Sequence, residues 1–200
     1  MKKYLVLCLA CFSSCLPLLA QKFPPMDKSP MDMAYYPVDY PILKIQNKIT
    51  EPLVARVIYS RPQKNGRTVF GGLNEWGKVW RFGANEATEI EFFQNVLVGG
   101  KAVPKGRYTL CTIPDSTQWT IIVNKETDTW GSFKYDEKKD QIRVDVPVQK
   151  TPESLEALAM YFSKTDAGFA LIAGWENAMV TIPMKVNEKA PAPKPVKKTK

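Results

Sequence analysis

Residues 95–124 read "NVLVGGKAVPKGRYTLCTIPDSTQWTIIVN", a series of short apolar runs, each cut from the next by a turn signal. Gly99-Gly100 parts the first two runs by two residues, which is the spacing of a tight hairpin. Pro104-Lys105-Gly106 leads into "RYTLCTI" (107–113), and Pro114-Asp115 turns the chain into "WTIIVN" (119–124). Such runs are too short for stable helices and rich in β-branched and aromatic residues, so they read as strands.

The same rhythm extends outward. "LVARVIYS" (53–60) is bounded by Pro52 and Pro62. "ATEIEFF" (87–93) sets Thr88, Ile90 and Phe92 on one face and Glu89 and Glu91 on the other. "QIRVDVPV" (141–148) alternates Ile142, Val144, Val146 and Val148 with other residues. The stretch "TPESLEALAMYFSK" (151–164) supports two readings. Its Ala, Leu, Glu and Met content, after Thr-Pro-Glu, suits a helix near 152–163. However, "GFALIAGW" (168–175) and "AMVTIPMKV" (178–186) follow at hairpin spacing, which favours a three-strand meander. Strands recurring every 10 to 15 residues predict a mainly β single domain over 50–186, an antiparallel sandwich, barrel-like or jelly-roll-like fold. There is no internal repeat.

The termini carry different signals. "MKKYLVLCLACFSSCLPLLA" (1–20) has two lysines, an apolar run and Ala20 before Gln21, which reads as a secretory signal peptide. Ser13, Ser14 and Pro17 interrupt the run, so no transmembrane segment is expected after cleavage. The expected location is the periplasm or cell surface. Lipid anchoring at Cys11 or Cys15 is the lesser alternative, since neither has a leucine three residues before it. Residues 21–48 hold five prolines and no sustained period, so 21–49 reads as an extended lead-in lying over the domain. The tail 187–200, "NEKAPAPKPVKKTK", is Pro-, Ala- and Lys-rich and reads as disordered.

Charge and composition exclude several functions. The formal net charge is +8, but Lys2, Lys3 and the tail's net +4 account for most of it, leaving +2 for residues 21–186. Nothing there resembles a nucleic-acid footprint. The chain has no histidine and, beyond residue 20, one cysteine, Cys111. That removes Ser-His-Asp and Cys-His catalysis, disulfide frameworks and nearly every zinc site. No phosphate-cradling glycine motif appears, and no cofactor or metal is expected. Cys111, between Leu110 and Thr112 in an alternating run, reads as inert filler.

Carboxylate-pair hydrolysis survives, because a glycosidase can work with two acidic residues alone. Glu86 and Glu176 are candidates, and Trp76, Trp80, Trp119, Trp130 and Trp175 could serve as sugar platforms. The more favoured reading is a non-enzymatic domain binding a small anionic or carbohydrate ligand or an envelope partner. Its candidate site is built around "WRFGANE" (80–86). Arg61, Arg67 and Arg81 would converge with Asn85, Glu86 and Thr88, beside an apolar wall of Trp130 or Trp175, to clamp an oxyanion or sugar hydroxyls. For the motif itself, a structural corner is read ahead of the binding site. Gly83 would take a positive φ, Asn85 would close an Asx-turn, and Arg81 would pair with Glu86.

The order of motifs resembles one family. "SRPQKNGRTVFGGL" (60–73), "WGKVWRFGANEATEIEF" (76–92), "VGGKAVPKGRYTLCTIP" (98–114), "WTIIVNK" (119–125), "WGSFKYDEKKDQIRV" (130–144) and "GWENAMVTIP" (174–183) follow the pattern of domain of unknown function family 2911. These are secreted bacterial proteins with no assigned activity. The resemblance spans about 30–186 and implies a compact, mainly β domain, with no catalytic residue to carry over. At Asn74-Glu75 the chain departs from a proline-like position in the family's loop.

Overall fold

Nine strands and one short helix organise the protein in a computed structural model that describes residues 23–188. The expected signal segment (1–20), with Cys11 and Cys15, and the tail from residue 189 lie outside the described residues. The strands are β1 (Met31–Tyr36), β2 (Ala55–Ser60), β3 (Glu89–Phe92), β4 (Val96–Val98), β5 (Lys101–Val103), β6 (Gly106–Pro114), β7 (Gln118–Asn124), β8 (Asp140–Thr165) and β9 (Gly168–Val186). The helix, α1, covers Tyr40–Ile45. The mainly β class is as expected. All nine strands form one continuous antiparallel sheet in the order β1-β2-β3-β6-β7-β8-β9-β4-β5, which is not closed.

The local turn chemistry acts as read. Gly99 and Gly100 join β4 to β5 with φ of 54° and 82°, the left-handed pair that a two-residue hairpin turn requires. On β3, Ile90 and Phe92 are buried, as is Thr88 just before it, while Glu89 and Glu91 are half exposed. Within the Pro-rich lead-in, Met31–Tyr36 is an edge strand paired along its whole length with β2. Helix α1 follows it, with Pro41 in its first turn, where a missing N–H costs no helical bond.

Two expectations are corrected. The helix near 152–163 is not formed, because β8 runs through it, and 168–186 is one long strand where two were expected. The reason lies in "ALAMYF" (157–162), which places Leu158, Met160 and Phe162 on the buried face at every second residue. Ladder pairing of Ala159–Thr165 with Gly168–Gly174 then outweighs the modest helix propensity of the Glu, Leu and Ala residues before it. The chain bends, and does not turn, at the register shifts between Lys150 and Ala159. Opposite them, Glu176 sits in the left-handed region at φ 54°, and its carboxylate accepts hydrogen bonds from Val69 and Phe70 N–H.

The bend divides the work of β8. Residues 140–147 pair with β7, and residues 148–165 pair with β9. The sheet curls until β1 and β2 meet the distal part of β8. Tyr36 stacks on Phe169 at 4.1 Å, Lys64 N–H donates to Glu156 O at 2.8 Å, and the Tyr59 hydroxyl accepts from Met160 N–H at 2.8 Å. The core inside this curl holds Phe70, Trp80, Phe82, Trp119 and Trp175, packed with ring centroids 4.9 to 6.4 Å apart.

Candidate functional site

"WRFGANE" begins as an extension of β3. Where β3 ends, Trp80 takes its place beside β6, exchanging hydrogen bonds with Thr112 at 2.7 and 2.9 Å. The chain then bulges out through residues 81–87 and returns at Thr88, whose N–H donates to Arg81 O and whose hydroxyl donates to Phe82 O. The Trp80 indole N–H closes the loop from inside by donating to Gly83 O at 3.0 Å. Three details differ from the expected corner. The left-handed residues are Phe82 and Asn85, each at φ 57°, and not Gly83. At Gly83 space is tight instead, since a Cβ there would lie 3.2 Å from Thr88 Oγ1, a contact that a small shift of the hydroxyl would have to relieve. Asn85 donates its amide to Asp27 Oδ1 at 3.1 Å in place of an Asx-turn.

The Arg81–Glu86 pair is also absent among the described residues. Arg81 is half-buried, its Nε lacks a partner, and burial lowers its pKa from the usual arginine value. Glu86 is exposed.

What the corner holds is the loop between β7 and β8. Ala87 N–H donates to Thr129 O and Gly131 N–H donates to Asn85 O, both at 2.9 Å, so 85–87 and 129–131 form a short antiparallel bridge. The Ser132 hydroxyl adds a bond to Val79 O. At its other end the loop is tied by Asn124, whose buried amide donates to Asp136 O and Asp140 Oδ1. The second Asp140 oxygen accepts from Tyr135 and from Arg143, each at 2.7 Å. Burial, and then this bond to Asp140, push the Tyr135 hydroxyl pKa well above the tyrosine range. A fully bonded network of this kind rigidifies the loop it anchors.

The rigid loop presents two aromatic rings to solvent, Trp130 at 62% exposure and Phe133 at 84%. Trp130 stands between two cavities. The larger, 570 Å³, lies under the loop over Thr109, Cys111 and Asn124, and is rimmed by Phe133, Lys134 and Tyr135. The smaller, 340 Å³, lies between the loop and the β1–β2–β3 side, lined by Met31, Ile58, Glu86, Ala87 and Glu89. Asp128, Thr129 and Trp130 belong to both. Both volumes fall within the range of small-molecule sites, about 300–1,000 Å³. Asp128 is held by Arg107 at 2.5 Å, and Glu89 accepts from Asp128 N–H at 2.8 Å. Cys111, on the floor, is buried, and desolvation, with the nearby Asp140 charge second, pushes its pKa up to about 12. A thiol so shifted is protonated and unreactive at neutral pH.

The eight residues singled out in the sequence thus part company. Glu86 and Trp130 meet at one cavity wall, and Asn85 supports them through its backbone. Thr88 and Trp175 are buried in the interior. Arg61 pairs with Asp32 at 3.2 Å and donates to Leu158 O. Arg67 donates to the carbonyls of Lys64 and Gln63. None of the three arginines lines either cavity. Glu176, the second carboxylate considered for hydrolysis, lines neither. Asp128, Thr129, Glu89 and Phe133 escaped the sequence reading, although an aromatic pair in the otherwise polar loop "KETDTWGSFKYDEKKD" was a usable signal. Among the described residues no group of three His, Cys, Asp or Glu side chains is placed to hold a metal ion, and no helix is long and apolar enough to cross a membrane.

No curated protein and no solved structure shows significant similarity to the chain. A family description, Protein of unknown function (DUF2911), does match it, over residues 41–184. That span takes in β2 through most of β9, including the corner and all the lining of both cavities except Met31, and the chain belongs to the DUF2911 family.

Proposed function

We propose that this protein is an exported, non-enzymatic binding domain that takes a carbohydrate in the groove around Trp130. The observation that carries the reading is an exposed tryptophan on a backbone-clamped loop, shared by two cavities whose other polar groups are carboxylates, several hydroxyls, an amide and two lysine ammoniums. A sugar ring offers an apolar C–H face to such an aromatic plate and hydroxyls to the acceptors around it. An exposed tryptophan also loses little conformational freedom on binding when its backbone is already clamped. An anionic ligand fits less well, because Arg61 and Arg67 are committed elsewhere, Lys139 is paired with Glu126, and the remaining cation of the larger cavity, Lys134, shares it with the carboxylates Glu126, Asp128 and Asp136. Hydrolysis fits less well too, because Glu86 and Glu176 do not share a cavity, and the carboxylates that do lie beside Glu86, Glu89 and Asp128, are both paired with Arg107. Export rests on the signal-like segment 1–20. We further read the curled sheet as two facing layers of a sandwich, with β1 and β2 folded over β8 and β9.

The test is a glycan array probed with the purified protein and with Trp130→Ala. Binding to a saccharide that the substitution reduces at least tenfold is expected. No binding, or binding indifferent to Trp130, overturns the reading.

A further inference from the structure

We infer that the groove takes a chain of at least two sugar rings laid across Trp130, and not a single ring; this rests on the carbohydrate reading above. The two cavities are parts of one surface, because Asp128, Thr129 and Trp130 wall both of them. A single ring placed in either cavity would leave the adjoining one unfilled. A second, linked ring fills it without a second loss of translational freedom.

The equipment on the two sides is different and complementary. The smaller cavity offers carboxylate acceptors, Glu86 and Glu89, beside the apolar Met31, Ile58 and Ala87. Among the described residues Glu86 forms no ion pair, so its oxygens are available to hydroxyl donors. The larger cavity adds a donor, Lys134, and a second aromatic plate, Phe133. That plate is stationed by its neighbour. Gly131 has φ +68°, and a Cβ there would come within 2.6 Å of Phe133 Cε2, so the phenyl ring lies directly over the glycine with its outer face open. Two aromatic plates on one short, clamped loop, with polar groups to either side, suit successive rings of a chain.

The experiment is titration calorimetry on the purified full chain. The probes are glucose, N-acetylglucosamine and their β-1,4-linked di-, tri- and tetramers. Affinity should rise about a hundredfold or more from the monomer to the trimer of the preferred series, as for linked binding units that engage together. Glu86→Gln and Lys134→Ala, one in each cavity, should each weaken the trimer by about fivefold, the worth of one hydrogen bond. Monomer binding should respond to one of these substitutions at most. Both residues are exposed, and circular dichroism verifies that the variants fold. If the monomer binds as tightly as the trimer, or if the trimer ignores either substitution, the spanning mode is overturned while carbohydrate binding stands. If no member of either series binds and no saccharide on the array does, both are overturned; if the array's ligand is a monosaccharide alone, only the spanning mode is.

Discussion

Replacing Tyr59 by phenylalanine tests what holds the curled sheet together. Three strands separate β2 from β8 in the sheet order, so nothing in the ladder itself brings them into contact. The Tyr59 hydroxyl joins them across 101 residues of sequence. It accepts from Met160 N–H at 2.8 Å and lies 3.2 Å from both Met160 O and Asp32 Oδ2, either of which can take its proton. Tyr59 is 2% exposed and Met160 is buried, so no solvent replaces the lost oxygen. Phenylalanine keeps the ring and removes only that atom. The loss is a net hydrogen bond, about 1 kcal/mol, plus part of the about 1–3 kcal/mol for a buried N–H left unpaired, and we expect about 2 kcal/mol in total. For a domain of this size that lowers Tm by about 4–8 °C. Urea unfolding followed by far-UV circular dichroism measures it, with an unchanged m-value showing that the unfolded state is unaffected. Tyr59→Ala sets the scale, since removing a buried aromatic ring costs about 3–5 kcal/mol. A loss below about 0.5 kcal/mol for Tyr59→Phe would refute the clasp.

Two further predictions concern single groups. Arg81→Met should leave stability within about 0.5 kcal/mol of wild type or raise it, because its Nε is buried without a partner and burial disfavours the charge; a loss of about 3 kcal/mol in urea unfolding would reveal an ion pair instead. Cys111 keeps its proton in the folded state up to about pH 12, against an ordinary value near 9, so the unfolded chain deprotonates first and stability falls as pH rises from 9 towards 12. Cys111→Ala should make the urea midpoint decline less steeply between pH 8.5 and 10.5, and an identical decline would contradict the buried thiol.

Much of the fold was legible in short windows of sequence, and particular residues show why. Gly99-Gly100 between two short apolar runs allows the left-handed pair that a two-residue hairpin needs, and Ile90 and Phe92 face the core because strand geometry puts every second side chain on one side. Edge strand β1 escaped notice for the complementary reason. It is half exposed, with Met31 and Met33 open to solvent, and its alternation of Met31, Met33 and Tyr35 is too short, between Pro30 and Pro37, to stand out. The stretch 151–164 was undecided because its local propensity and its pairing partner pull in opposite directions.

The candidate site divides in the same way. Sequence alone marks Trp130 and Glu86 as residues capable of binding, and marks "WRFGANE" as a break between strands. It could not reveal that the break serves as a shelf for a loop more than forty residues later, joined by the 85–87 and 129–131 backbone bridge. It also could not show that Arg61 and Arg67, near the motif along the chain, spend their hydrogen bonds on β8 and on their own loop. Strand positions, turns and the absence of histidine chemistry follow from sterics, periodicity and composition, all of which act within a few residues. The curl of the sheet, the burial of Trp175, the exposure of Trp130 and the meeting of Glu86 with Asp128 were decided by long-range pairings. Those pairings are selected by the free energy of the whole core, which no local window contains.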